Sequence, residues 1–137
     1  MSDSITGGCR CGAIRYECNA EPILAGHCYC TVCQRASGTD KNSAVAFPED
    51  AFRLTGGITE YTVEADSGNT STRGFCPTCG DPITGYGTGM AGMVMVSASS
   101  LDDASVFQPQ MDIYVDSAPP WAHMDPDLPK VPGMPEE

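Results

Sequence analysis

Positive charge is the scarcest commodity in this chain of 137 residues: seven Lys and Arg stand against eighteen Asp and Glu, for a formal net charge of -11. Nucleic acids and anionic membrane surfaces are bound chiefly through Lys and Arg, so this balance speaks against both as partners. Helical periodicity is missing as well. Fifteen Gly and eleven Pro interrupt the chain, and no stretch keeps an apolar stripe over four turns. Nor is there any run approaching the roughly 18 apolar residues of a membrane span. The first residues, Met-Ser-Asp-Ser-Ile-Thr-Gly-Gly, lack the basic start and apolar core of a secretory leader. The expectation is a mainly β, cytoplasmic protein of one domain over residues 1–137. Its core should run from about 5 to 117, with an extended Pro-rich tail over about 118–137.

Cysteine is what the chain has in excess. Eight are present, mostly in tight groups. In a reducing compartment such groups are more readily metal ligands than disulfides. Cys9-Arg10-Cys11-Gly12 and Cys76-Pro77-Thr78-Cys79-Gly80 form the two halves of a four-cysteine zinc site, in which Gly after the second Cys permits the backbone angle of the turn. The competing reading is a pair of redox dithiols, but Cys-x-Cys is a poor redox pair and no βαβ pattern surrounds Cys76.

Cys28-Tyr29-Cys30-Thr31-Val32-Cys33 is the second group. Three thiolates leave one position of a tetrahedral ion open, the arrangement of a catalytic rather than a structural site. Three thiolates also weaken zinc as a Lewis acid, which suits it to hold a substrate thiolate better than to ionise water. Closure of this site by His27 or His123 is the alternative. His27, adjacent to Cys28 on an extended segment, is expected to face the opposite way. Arg35, one turn beyond Cys33, is the candidate for offsetting the cluster's charge or gripping a carboxylate of the ligand.

Strands are expected over 13–18, 23–27, 42–48, 53–55, 58–64, 70–75, 82–86, 93–97 and 111–115, with 93–97 central. Residues 1–8 read as a frayed start, and Ser67-Gly68-Asn69 as a turn. Gly56-Gly57 reads as a hairpin link between the strands on either side of it. Gln34–Ser37 reads as one helical turn ended by Gly38, Glu49–Phe52 as a turn or short helix, and 99–109 as a loop. Cys18 joins Ile14 and Tyr16 on the inward face as a small buried hydrophobe. Met90, Met93 and Met95 read as core filler, and the sole Trp, Trp121, as the anchor that packs down a tail too rich in Pro to enter a sheet.

Taken together, Gly8-Cys9-Arg10-Cys11-Gly12, Cys28-Tyr29-Cys30-Thr31-Val32-Cys33 with Gln34-Arg35-Ala36-Ser37-Gly38, and Phe75-Cys76-Pro77-Thr78-Cys79-Gly80 resemble the glutathione-dependent formaldehyde-activating enzymes, a family that includes centromere protein V. The resemblance extends through Val115-Asp116-Ser117 and Pro120-Trp121. It implies a β-tent of antiparallel sheets clamped by zinc, with few short helical turns. It also implies two zinc ions per chain, a structural one on Cys9, Cys11, Cys76 and Cys79 and a catalytic one on Cys28, Cys30 and Cys33. The implied activity joins glutathione to formaldehyde, a carbon-sulfur lyase run in reverse. Tyr29 stands where the family often has His. The alternative function is a non-catalytic, zinc-stabilised module that binds a thiol or a protein partner.

Overall fold

A computed structural model describes residues 4–64 and 68–133. Ten strands and one short helix follow each other in the order β1 (Ile5–Gly8), β2 (Arg15–Cys18), β3 (Leu24–Cys28), α1 (Thr31–Ser37), β4 (Asn42–Pro48), β5 (Phe52–Thr55), β6 (Thr59–Glu64), β7 (Thr70–Phe75), β8 (Pro82–Gly87), β9 (Met93–Ser97) and β10 (Met111–Ile113). The protein is mainly β, as its Gly and Pro content requires. Three strands form a small sheet in the order β1-β2-β5, and seven form a large one in the order β10-β3-β4-β9-β8-β7-β6. β9 is the middle strand of the seven, as its apolar run predicts.

The core lies where the inward sets of both sheets meet. Ile14, Tyr16 and Cys18 from the small-sheet side pack with Val45 and Phe47 of β4, Ile83 of β8, and Val94 and Val96 of β9. Cys18 is 1% exposed and belongs to this cluster, as expected of a thiol used as a hydrophobe. Tyr16 stacks obliquely on Phe52 with ring centroids 5.3 Å apart, and its hydroxyl shares a 2.6 Å hydrogen bond with Ser100.

Several expectations fail for instructive reasons. Residues 5–8 are not frayed. They pair antiparallel with β2, and a Cβ on Gly7 would lie 2.3 Å from the Tyr16 hydroxyl and 2.4 Å from the Ser100 carbonyl oxygen. Glycine there serves close approach, not disorder. Gly56-Gly57 is not a hairpin link either: β5 pairs with β2 and β6 with β7, so the chain crosses from one sheet to the other at this point. Of the expected Ser67-Gly68-Asn69 turn, Ser67 lies outside the described residues. Segment 99–109 is not plain loop but holds 3₁₀ turns at Ala98–Ser100 and Ala104–Val106.

The last strand is shorter than its alternation suggests, and it runs parallel to β3, the one departure from antiparallel pairing in either sheet. After Ile113 the chain turns at Tyr114, the one non-glycine described residue with positive φ (57°), into a 3₁₀ turn over Val115–Ser117. The Pro-rich tail then returns along the outer edge of β10. Asp112 N–H donates to Pro129 O at 2.9 Å, Val131 N–H to Asp112 O at 3.0 Å and Val115 N–H to Val131 O at 3.2 Å. The fully buried Asp112 carboxylate has the Lys130 ammonium 3.5 Å away. Trp121 is not the anchor, being 65% exposed. Backbone hydrogen bonds, accepted by the Pro129, Val131 and Gly133 carbonyls and donated by Val131 N–H, together with Lys130, hold the tail instead.

Candidate metal centres

The first centre ties the two sheets together. Cys9 and Cys11 sit in the turn between β1 and β2, Cys76 and Cys79 in the turn between β7 and β8, and the four sulfurs lie within 4.8 Å of one another. Gly12 (φ 82°) and Gly80 (φ 81°) close both turns in the left-handed region, as the motif predicts. A zinc ion with Zn–S about 2.3 Å at the centre of a tetrahedron sets its sulfurs about 3.8 Å apart. The observed Cys9–Cys11 and Cys11–Cys76 separations are 3.6 and 3.7 Å, so the donor set fits such an ion, and no disulfide is formed.

Backbone amides complete the environment. Ile14 N–H donates to the Cys9 sulfur at 3.3 Å and Thr78 N–H to the Cys76 sulfur at 3.4 Å, bonds that favour thiolate. Burial pushes the Cys9 thiol up, but the Ile14 amide and the neighbouring sulfurs outweigh it and bring it down to about 6. Outside the sulfurs, Asp81 accepts from Arg10 N–H at 2.7 Å, a second tie between the same two turns.

The second centre is local. β3 ends at Cys28, Cys30 caps α1, and Cys33 lies in the helix's first turn. Their three sulfurs also lie within 4.8 Å of one another. The helix is longer than the single turn expected because the Cys30 sulfur accepts from Cys33 N–H at 3.3 Å, serving as an N-cap that sequence rules assign to Ser, Thr, Asp or Asn. Gly38 (φ 77°) ends it, as expected. Below the cluster, Gln34 Nε2 donates to Tyr29 O at 2.7 Å and to Ser117 O at 3.0 Å, tying α1 to the turn after Tyr114.

Charge is distributed unevenly over these sulfurs. Contacts with Cys28 and Cys33, together with the Cys33 amide and Arg73, bring Cys30 down to about 2, while its two sulfur neighbours push Cys28 up. His27 turns away, as expected: its Nδ1 pairs with Ser43 Oγ at 2.8 Å, and its ring meets Phe107 edge-on. Neither His27 nor His123 belongs to either sulfur cluster.

The three-sulfur cluster forms one wall of a cavity of about 90 Å³. Ala44, Tyr86, Met90, Met95, Ile113 and Tyr114 are among its other lining residues. Met90 and Met95 are thus cavity wall and not core filler; β9 alternates, placing Val94 and Val96 inward and Met95 on the opposite face. Tyr29, between the ligands, is 1% exposed and does not line the cavity. Burial pushes its hydroxyl up to about 12.

Arg35 is exposed on α1 and is not among the cavity's lining residues. The guanidinium beside the sulfurs belongs to Arg73 of β7, whose Nη2 donates to the Cys33 sulfur at 3.0 Å. Sequence proximity favoured Arg35, whereas pairing of β7 with β8 carries Arg73 across forty residues of chain. The signal available was the strand pattern Ser71-Arg73-Phe75, which puts the arginine on one face of a strand running into the four-cysteine turn.

Residues 4–117 match the family described as glutathione-dependent formaldehyde-activating enzyme. The chain belongs to that family. Both sulfur clusters lie within the matched residues, and the strap over 129–133 lies beyond them. Among solved structures, the chain is similar to a crystal structure of a Rhodobacter sphaeroides protein from a structural genomics programme. That likeness has a TM-score of 0.56 at 22% identity, over 71% of this chain and 87% of that one, and supports the fold. No curated protein sequence matches it. Among the described residues, no helix is long and apolar enough to cross a membrane.

Proposed function

We propose that the chain is a zinc-dependent carbon-sulfur lyase-type enzyme that adds a small thiol to an aldehyde, with glutathione and formaldehyde as the pair its family suggests. Residues 1–137 would act as one cytoplasmic zinc domain. In this reading Cys9, Cys11, Cys76 and Cys79 hold a structural zinc, and Cys28, Cys30 and Cys33 hold a catalytic one. The observation that carries it is the contrast in closure: the four-sulfur group is complete, while the three-sulfur group opens on a cavity with a guanidinium at its edge.

Zinc at the three-sulfur position would supply a fourth-ligand place where a thiol is kept deprotonated at neutral pH. The chain's own groups do the rest. Arg73 offsets the negative charge gathered on the three sulfurs, and its hydrogen bond fixes the Cys33 sulfur in place. The Met residues at the wall make the cavity lining largely apolar, a setting that strengthens polar contacts inside. A zinc ion held by Cys28, Cys30 and Cys33 would supply the thiolate, whose addition to the aldehyde carbon would form the C–S bond while the carbonyl oxygen took a proton from solvent, giving the hydroxyalkyl thioether. Tyr29, buried and neutral, takes no part as a base.

The test is a rate comparison. Zinc-replete protein should speed thiol–aldehyde addition above the uncatalysed rate, and Cys30→Ser should remove the acceleration with the fold intact. Saturable thiol binding without acceleration would favour the non-catalytic module.

A further inference from the structure

One part of the cavity wall stands on a strand that has little to hold it. β10 is three residues long, lies at the edge of the large sheet and pairs with β3 in parallel, the slightly weaker mode of pairing. Yet Ile113, its last residue, and Tyr114 just beyond it both line the cavity beside the three sulfurs. Tyr114 is also in the left-handed backbone region (φ 57°, ψ 37°), which a non-glycine residue keeps only where its surroundings impose it.

Residues 129–133 impose it. The Gly133 and Val131 carbonyls accept from Tyr114 N–H and Val115 N–H, both at 3.2 Å, while Pro129 O and Val131 N–H bond Asp112 on either side of its peptide. These residues lie beyond the 4–117 that match the family, so the strap is an addition to the matched domain. Lys130 fastens it: its ammonium donates to Asp125 O at 2.6 Å and Leu128 O at 2.9 Å and stands 3.5 Å from Asp112 Oδ2. The Asp112 carboxylate is fully buried, and neither of its oxygens accepts a hydrogen bond. Among the described residues Lys130 is its one ion-pair partner. A buried carboxylate of this kind is retained only against a nearby opposite charge, so Asp112 and the strap hold each other.

On the other side the same segment reaches the sulfurs. Tyr29, between Cys28 and Cys30, donates its N–H to Ile113 O at 3.0 Å, and Gln34, next to Cys33 on α1, donates Nε2 to Ser117 O at 3.0 Å. Hydrogen bonds therefore run from the strap through β10 and its following turn to the backbone that carries all three cysteines.

We infer that Lys130 is a positioning residue for the three-sulfur centre: by locking 129–133 onto β10 it holds Tyr114 at the cavity wall and keeps the Ile113 and Ser117 carbonyls where they fix the cluster. Its catalytic consequence rests on the thiol reading above, whereas its effect on the cluster's backbone does not.

The test compares Lys130→Met and Lys130→Arg in the full zinc-loaded chain under reducing conditions, by amide hydrogen exchange and by glutathione–formaldehyde kinetics. Lys130→Met should speed exchange at Tyr29, Tyr114 and Val115 by roughly tenfold or more, while Val45 and Val96 in the core strands keep the parent rates. The KM for glutathione should rise roughly tenfold, with kcat little changed and two zinc ions retained, and Lys130→Arg should restore the parent values of both readouts. Should the charge left on Asp112 unfold Lys130→Met, a chain ending at Leu128 and carrying Asp112→Asn removes strap and charge together, and the same two readouts apply. Parent-like exchange at Tyr29, an equal rise in the core strands, or an unchanged KM overturns the inference. If the parent protein itself gives no acceleration, the thiol reading falls, and exchange at Tyr29 alone decides this inference.

Discussion

Two cysteine clusters in one chain offer the same kind of sulfur donors in different settings, and their placement sets them apart. The four-sulfur centre joins turns that are sixty-five residues apart between Cys11 and Cys76, one beside the small sheet and one within the large sheet. An ion there closes a long loop and holds the two sheets over their common core. The three-sulfur centre draws all its ligands from Cys28 to Cys33, so an ion there closes almost no chain. What it gains is an open side, a cavity and Arg73. On the proposed function, closure of chain would serve stability and an open coordination position would serve chemistry.

The sharpest way to break this comparison is to exchange one ligand in each centre. Cys79→Ser leaves the clamp with three sulfurs and should destabilise the domain by on the order of 5 kcal/mol, enough to unfold a protein of ordinary stability. Circular dichroism melting reads this directly, and a melting temperature like that of the parent would remove the structural assignment. Cys30→Ser should leave the melting temperature within a few degrees but cost roughly a hundredfold or more in thiol–aldehyde turnover. Native mass spectrometry should then count one zinc ion in place of two.

A chelator titration sharpens the same contrast without mutation. The three-sulfur centre, open to its cavity, should surrender its ion first, with activity lost and the melting curve unchanged. The four-sulfur ion should leave only at higher chelator concentration, with unfolding. Simultaneous loss of both signals would argue that the two centres are one cooperative unit.

The smallest effect concerns acid. Asp102 accepts from Arg15 and from Thr6 Oγ1, pinning the small sheet to the segment after β9, and these contacts, Arg15 first, lower its carboxyl below the usual range. A carboxylate whose folded pKa is depressed stabilises the fold above its unfolded pKa, near 4, and this contribution is lost as pH falls through the lower folded value. Both side chains are nearly half exposed, so screening limits the effect to about 0.5 kcal/mol. Asp102→Asn should lower the melting temperature slightly at pH 7 and hardly at all at pH 2, without touching the three-sulfur centre.

Much of the site was legible before folding. Metal ligation by cysteine is written in short spacings, and Cys-x-Cys and Cys-x-x-Cys turns carry their geometry with them, as Gly12 and Gly80 show in their positive φ. Strands whose alternation was clear, such as 42–48, 70–75 and 93–97, fall where the pattern puts them. Illegible were contacts that depend on which strands pair. The Gly56-Gly57 crossover looks like a hairpin because local rules do not know that β5 prefers β2. Met90 and Met95 read as core because hydrophobicity does not say which face of a sheet is covered. Trp121 read as an anchor because a lone Trp is usually buried, yet Lys130 and the backbone between prolines hold the tail.

The sequence by itself determined the two sulfur clusters, the mainly β character and the family, because each rests on residue type and short spacing. Tertiary structure alone decided that the second cluster opens on a cavity, that Arg73 and not Arg35 stands beside it, and that residues 129–133 strap the edge of β10. Those features depend on pairing between segments far apart in the chain. Such pairing is set by how all ten strands share one core, which no local pattern encodes.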